Sequence, residues 1–100
     1  MRVHPLTLEY LRLVALRPGM YMQDFDLLEL ELQLYGFEAG LDAAGAFSDF
    51  DRFNRSFSEY LVENDKLSCS RGWAYVIRSR YGQGEVGFQK FLSLLAKATQ

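Results

Sequence analysis

One hundred residues, 49% hydrophobic and 15% aromatic, amount to about one domain with ample material for a packed core, which excludes a disordered tail. The single cysteine, Cys69, excludes an intrachain disulfide and a cysteine-based zinc motif, so a reducing, cytoplasmic setting is expected. The formal net charge of −2 conceals a segregation: residues 24–65 hold eleven acids against Arg52 and Arg55, a balance of −9, whereas residues 66–100 balance at +5 and residues 1–23 at +2.

Pro5 and Glu9 interrupt the N-terminus before any apolar run of signal-peptide length, and no stretch approaches the roughly 18 uncharged apolar residues of a membrane span. Leu6, Leu8, Leu11, Val14 and Ala15 recur near helical spacing, Pro5 or Thr7 suits the start, and Pro18-Gly19 closes the run, which predicts a first helix over roughly 6–17. Gly19 to Gln23 reads as a short connector. Asp24 or Asp26 is placed to cap a second helix that runs to about Ala44, before Gly45. Its leucines at 28, 30, 32 and 34 also alternate as a strand would, but the apolar pattern continues through Tyr35, Phe37 and Leu41, past the usual strand length.

Wound as a helix, Leu27, Leu30, Leu34, Phe37 and Leu41 share one face and Leu28, Leu32, Tyr35 and Ala39 another, so a central position with neighbours on both sides is expected. Glu31, Glu38 and Asp42 form a narrow stripe between those faces. Gly36 and Gly40 each cost about 1 kcal/mol relative to alanine inside a helix, and the close approach of another backbone is the expected compensation.

Ser48-Asp49-Phe50-Asp51 has the form of a capping box before the stripe Phe50, Phe53, Phe57, Tyr60 and Leu61, with Asp51, Arg52, Arg55, Glu59 and Glu63 on the other side. That is a third, amphipathic helix ending near Asn64. A polar loop to Ser70 precedes a fourth helix from about Arg71 to Tyr81, stopped by Gly82-Gln83-Gly84, and a last helix over about 85–98 buries Phe88, Phe91, Leu92 and Leu95. The expected fold is all-α, a bundle or orthogonal array of about five helices forming a single domain over residues 1–100.

Catalytic chemistry is thinly supplied. His4 is the sole histidine and lies near a terminus that commonly frays, and Cys69 is the sole thiol, so a base and a nucleophile have one pairing to form. Neither a calcium-loop spacing nor a His-Glu helix pair is present, and Gly82-Gln83-Gly84 lacks the lysine of a phosphate-binding loop. No catalytic residue, metal or cofactor is therefore assigned, and the chain is expected not to be an enzyme. Arg71, Arg78, Arg80, Lys90 and Lys97 alternate with Trp73, Tyr75, Tyr81 and Phe88 as nucleic-acid binding sites do, but those aromatics fit core positions and the acidic centre repels phosphates. The acidic centre instead attracts basic partners and accelerates encounter with them; its alternative role is solubility alone.

The string Arg17-Pro18-Gly19-Met20-Tyr21 resembles a segment near the start of the ATPase domain of bacterial type II topoisomerases, but it covers five residues of a chain too short for that fold. A longer likeness joins that string to Tyr35-Gly36-Phe37-Glu38-Ala39-Gly40 in a long helix, a Phe-rich helix, Gly72-Trp73-Ala74, and a closing helix with Phe91-Leu92 and Leu94-Leu95. Together these resemble small all-helical bacterial immunity proteins of polymorphic toxin and contact-dependent growth inhibition systems. The resemblance implies stoichiometric neutralisation of a cognate protein toxin, often a cationic nuclease. The exposed acids of the second and third helices and their loops, Asp24, Asp26, Glu29, Asp49, Asp51, Glu59, Glu63 and Asp65, are then the expected contact residues. A small adaptor that holds a partner in an apolar helix groove is the alternative.

Overall fold

A computed structural model describes residues 1–100 as five helices: α1 (Pro5–Leu16), α2 (Leu27–Ala43), α3 (Phe53–Asp65), α4 (Trp73–Tyr81) and α5 (Gly84–Ala98). The fold is all-α, as the periodicity predicts; the one β-type contact is a bridge between Val3 and Asp51. A core of 17 buried residues draws on every helix, and its centre is aromatic. Trp73 stacks on Phe91 with ring centroids 4.7 Å apart and meets Phe57 edge-on at 5.4 Å. Aromatic pairs in these geometries add about 0.5–1.5 kcal/mol beyond the area they bury.

The ends of α1 and α2 form as their capping chemistry requires. Leu6 N–H donates to Nδ1 of His4 at the N-cap of α1, with Pro5 filling the first helical position, and Leu28 N–H donates to Asp26 Oδ1 at the N-cap of α2. Since Nδ1 accepts, the proton of His4 sits on Nε2 and points at Ala46 O, 2.9 Å away. The connector between α1 and α2 is two 3-10 turns, Pro18–Met20 and Gln23–Phe25.

Four expectations need correction. The N-terminus does not fray: His4 is buried between Phe47 and Phe50, Arg2 N–H donates to Asp51 Oδ2, and Asp51 N–H donates to Arg2 O. The capping box of Ser48 to Asp51 does not form, because Asp51 is taken by Arg2 and α3 starts at Phe53, after Phe50 has turned back onto His4. Gly36 and Gly40 admit no backbone, since a Cβ at either would meet nothing within 4 Å. The second apolar face of α2 has no neighbour either: Leu28 packs at the edge of the core, but Leu32 is 69% and Tyr35 59% exposed, and Ala39 is exposed with them. The flanks of α2 are covered instead, by α1 at Phe37 and Gln33, by α3 at Glu38 and by α4 at Glu31.

Candidate functional site

Two of the eleven central acids serve the fold, Glu38 buried and Glu31 half-buried. Glu38 is 3% exposed and holds three helices together, accepting from Thr7 Oγ1 of α1 and from the backbone N–H of Phe53 at the start of α3, both at 2.9 Å. It supplies the cap that the local sequence does not. Glu31 serves α4 in the same way, its Oε2 accepting from Ala74 N–H at 3.2 Å, where the helix dipole favours an anion. Gly72, at φ +91°, lets that carboxylate reach the helix start: an added Cβ would lie 2.6 Å from Oε2. Asn54 closes the network, donating to Glu31 O and accepting from Trp73 Nε1. Gly72-Trp73-Ala74 is thus a capping and packing motif.

Burial pushes the Glu31 carboxyl above the usual range, against the backbone N–H groups of Ala74 and Trp73, which pull it down. A folded-state value above the unfolded one means that the folded chain binds more protons, so this group's contribution to stability is greatest at acid pH. It is lost as pH rises through the folded-state value. Glu31→Gln keeps an acceptor oxygen and removes the charge. Its stability relative to wild type is expected to rise steadily as the pH of urea titrations is raised from the ordinary carboxylate range towards neutrality; a constant difference contradicts the assignment.

The eight acids singled out as contact residues fall into two groups and two outliers. Asp24, Asp26 and Glu29 line a cleft of about 220 Å³ with Arg78, Gln83 and Gly84. Two of them have local duties there: Asp26 caps α2 and lies 3.9 Å from Arg78, and Glu29 accepts from Gln23 N–H. Asp24 and Phe25 hold left-handed backbone at φ 52° and 56°, which turns Phe25 inward onto Phe88 and leaves Asp24 exposed.

Asp51, just ahead of α3, gathers with Glu59 and Glu63 of its outer face, where three clefts adjoin. Phe50, Asp51, Arg52, Arg55, Ser56 and Glu59 line the first, of about 420 Å³. Met1, Asp51, Ser56, Glu59, Tyr60 and Glu63 line the second, of about 250 Å³. The third, of about 670 Å³, lies between Ser58, Glu59, Val62 and Glu63 and the 66–70 loop with Leu67 and Cys69. Glu59 borders all three, and its ion pair with Arg55 at 3.2 Å is solvent-exposed and contributes little. Asp49, exposed in the turn before α3, and Asp65, half-buried at its end, line none of these clefts.

The sole histidine and thiol are not brought together. Both ring nitrogens of His4 are engaged at the Ala46 and Leu6 backbone, while Cys69 Sγ–H donates to Leu67 O at 3.8 Å. Burial pushes the Cys69 thiol up, disfavouring the reactive thiolate. The basic residues of the last third are dispersed: Arg71 lies over the Tyr75 ring, Lys90 over Tyr81, and Arg78 beside Asp26, while Trp73 and Phe88 are buried and present no face to a base. No helix is long and apolar enough to cross a membrane. Compared with known protein families, with curated proteins and with solved structures, the chain matches none.

Proposed function

We propose that the protein is an immunity protein, which binds a basic toxin domain one-to-one and neutralises it by covering or distorting its active site, with no catalysis and no cofactor of its own. The observation that supports this reading best is the outer face of α3, where Asp51, Glu59 and Glu63 border adjoining clefts along the helix. Carboxylates presented in a row offer a nuclease-type cleft the charge that its phosphate backbone would bring. The cytoplasm, where such an inhibitor meets an incoming toxin, is the proposed compartment.

Co-expression with the product of the adjacent gene, scored for growth rescue and co-purification, tests the reading. For the purified pair, the association rate is expected to fall about tenfold or more between low and moderate salt, as electrostatic steering does. Combined Glu59→Lys and Glu63→Lys should lower it by a similar factor at low salt while leaving the fold intact, both residues being exposed. An unchanged rate removes the α3 face from the interface.

A second reading, an adaptor that holds an amphipathic helix, is favoured by the apolar cleft that Leu13, Leu16 and Met20 form beside Tyr21 at the α1 turn. It differs in its salt response: association there is nearly salt-independent, and Leu16→Glu abolishes it.

A further inference from the structure

Residues 2–4 run as a strap along the turn that joins α2 to α3. Arg2 N–H donates to Asp51 Oδ2, Arg2 O accepts from Asp51 N–H, and Val3 makes its bridge to the same residue. His4 closes the strap: its ring is 8% exposed, with centroids 5.9 Å from Phe47 and 4.5 Å from Phe50. The two nitrogens have opposite duties. Nδ1 accepts from Leu6 N–H at 3.0 Å, capping α1, and Nε2–H donates to Ala46 O at 2.9 Å, tying the cap to the turn. Only a neutral ring does both, because an imidazolium has two donors and no acceptor.

The surroundings offer an imidazolium no compensation. A proton on Nδ1 faces the Leu6 N–H donor to donor, and a positive charge at the start of a helix opposes its dipole. Arg52 lies over the Phe47 ring and Arg2 over the Phe50 ring, with Cζ 4.6 and 5.9 Å from the centroids, so both aromatic neighbours already carry cations. The carboxylates around the strap are engaged elsewhere: Asp51 with Arg2 N–H, Asp42 with Arg52, Glu9 with Arg12, and Glu38 with Thr7 and Phe53, while Asp49 is exposed. None of the ion pairs includes His4.

We propose that His4 makes this strap a pH-sensitive latch, closed on the turn while the ring is neutral and released when it is protonated. The open strap takes up a proton in the ordinary histidine range, about pH 6.5, and the closed strap has no place for it. Closure is therefore lost as pH falls below that range, the open-to-closed ratio rising about tenfold for each further unit. The 17-residue core includes no residue of the strap or of the 46–51 turn, so the latch opens without unfolding the core. Release uncovers Phe47 and Phe50 and frees Asp51 from Arg2. The resulting change in the α3 contact face is the one consequence that rests on the immunity reading.

His4 is the sole histidine, so a single labelled ring reports it: nitrogen NMR at neutral pH should show one tautomer, Nε2 protonated and Nδ1 accepting. From about pH 7 to about pH 5, the protection of the residue 51 amide against hydrogen exchange, corrected for the intrinsic rate, should fall about tenfold or more while amides in the middle of α5 keep theirs. His4→Asn offers a cap acceptor without a titratable ring and should show no acid response over this range. Asp51→Asn keeps an acceptor oxygen for Arg2, removes the carboxylate of the clasp, and should respond as wild type does. A mixture of tautomers, or constant protection in wild type, overturns the latch. So does a parallel loss in α5, which means that the whole fold opens, and so does an acid response that survives His4→Asn or disappears in Asp51→Asn.

Discussion

Trp73→Ala is expected to remove about 3–5 kcal/mol of stability, a large share of the roughly 5–15 kcal/mol that holds a domain of this size folded. The ring is fully buried, stacked at 16° on Phe91 and edge-on to Phe53 and Phe57, so its loss opens a cavity at the meeting point of α3, α4 and α5. It also strands Asn54 Oδ1, which accepts from Trp73 Nε1 at 2.8 Å. With a urea slope of about 1–2 kcal/mol/M for a small domain, the midpoint should fall by roughly 2–4 M. Far-UV circular dichroism is the proper readout, because the substitution removes the only tryptophan. Trp73→Phe restores the ring contacts but not the donor, and the unpaired Asn54 carbonyl should still cost about 1–3 kcal/mol. A Trp73→Ala protein within 1 kcal/mol of wild type is incompatible with this core.

What the sequence made legible is what depends on local spacing. Apolar residues at helical intervals, Pro18-Gly19 and Gly82-Gln83-Gly84 placed all five helices to within a few residues. What it hid depends on residues distant in the chain. The start of α3 is a case: a locally plausible capping box lost Asp51 to the Arg2 amide and gained a cap from Glu38, fifteen residues before Phe53. Nothing between residues 48 and 53 announces that exchange. The outer face of α2 is the converse case, because Leu28, Leu32, Tyr35 and Ala39 repeat as faithfully as the buried face does, and periodicity alone does not say which of two apolar stripes meets the core.

The candidate surface was legible in the same partial way. Asp51, Glu59 and Glu63 fall on one side of the expected third helix by spacing, and the structure keeps them together although α3 itself starts only at Phe53. Asp24, Asp26 and Glu29 also come together, at a cleft whose cation, Arg78, lies about fifty residues away and was not foreseen. Charge counting treated all eleven central acids alike, although Glu31 and Glu38 serve the fold. A trace of that division was visible: the two lie seven apart and border the buried leucines at 27 and 34, on the flank of the helix that the neighbouring helices cover.

Glu38→Ala separates those two kinds of acid. Removing this carboxylate strands the buried Thr7 hydroxyl and the Phe53 N–H, each worth about 1–3 kcal/mol when left unpaired, so a loss of about 2–5 kcal/mol is expected. Thr7→Val in the same chain should recover part of it, since an apolar group of matching shape needs no acceptor; simple additivity of the two losses contradicts the shared hydrogen bond. The association rate with the proposed toxin, measured where the variant is still folded, should equal that of wild type, because a side chain 3% exposed adds little to the field a partner meets. Combined Glu59→Lys and Glu63→Lys should do the opposite, slowing association while leaving stability within about 1 kcal/mol of wild type. Only acids divided between the interior and the α3 surface give both results, and a protein whose negative charge served solubility alone gives neither a slowed association nor a site to map.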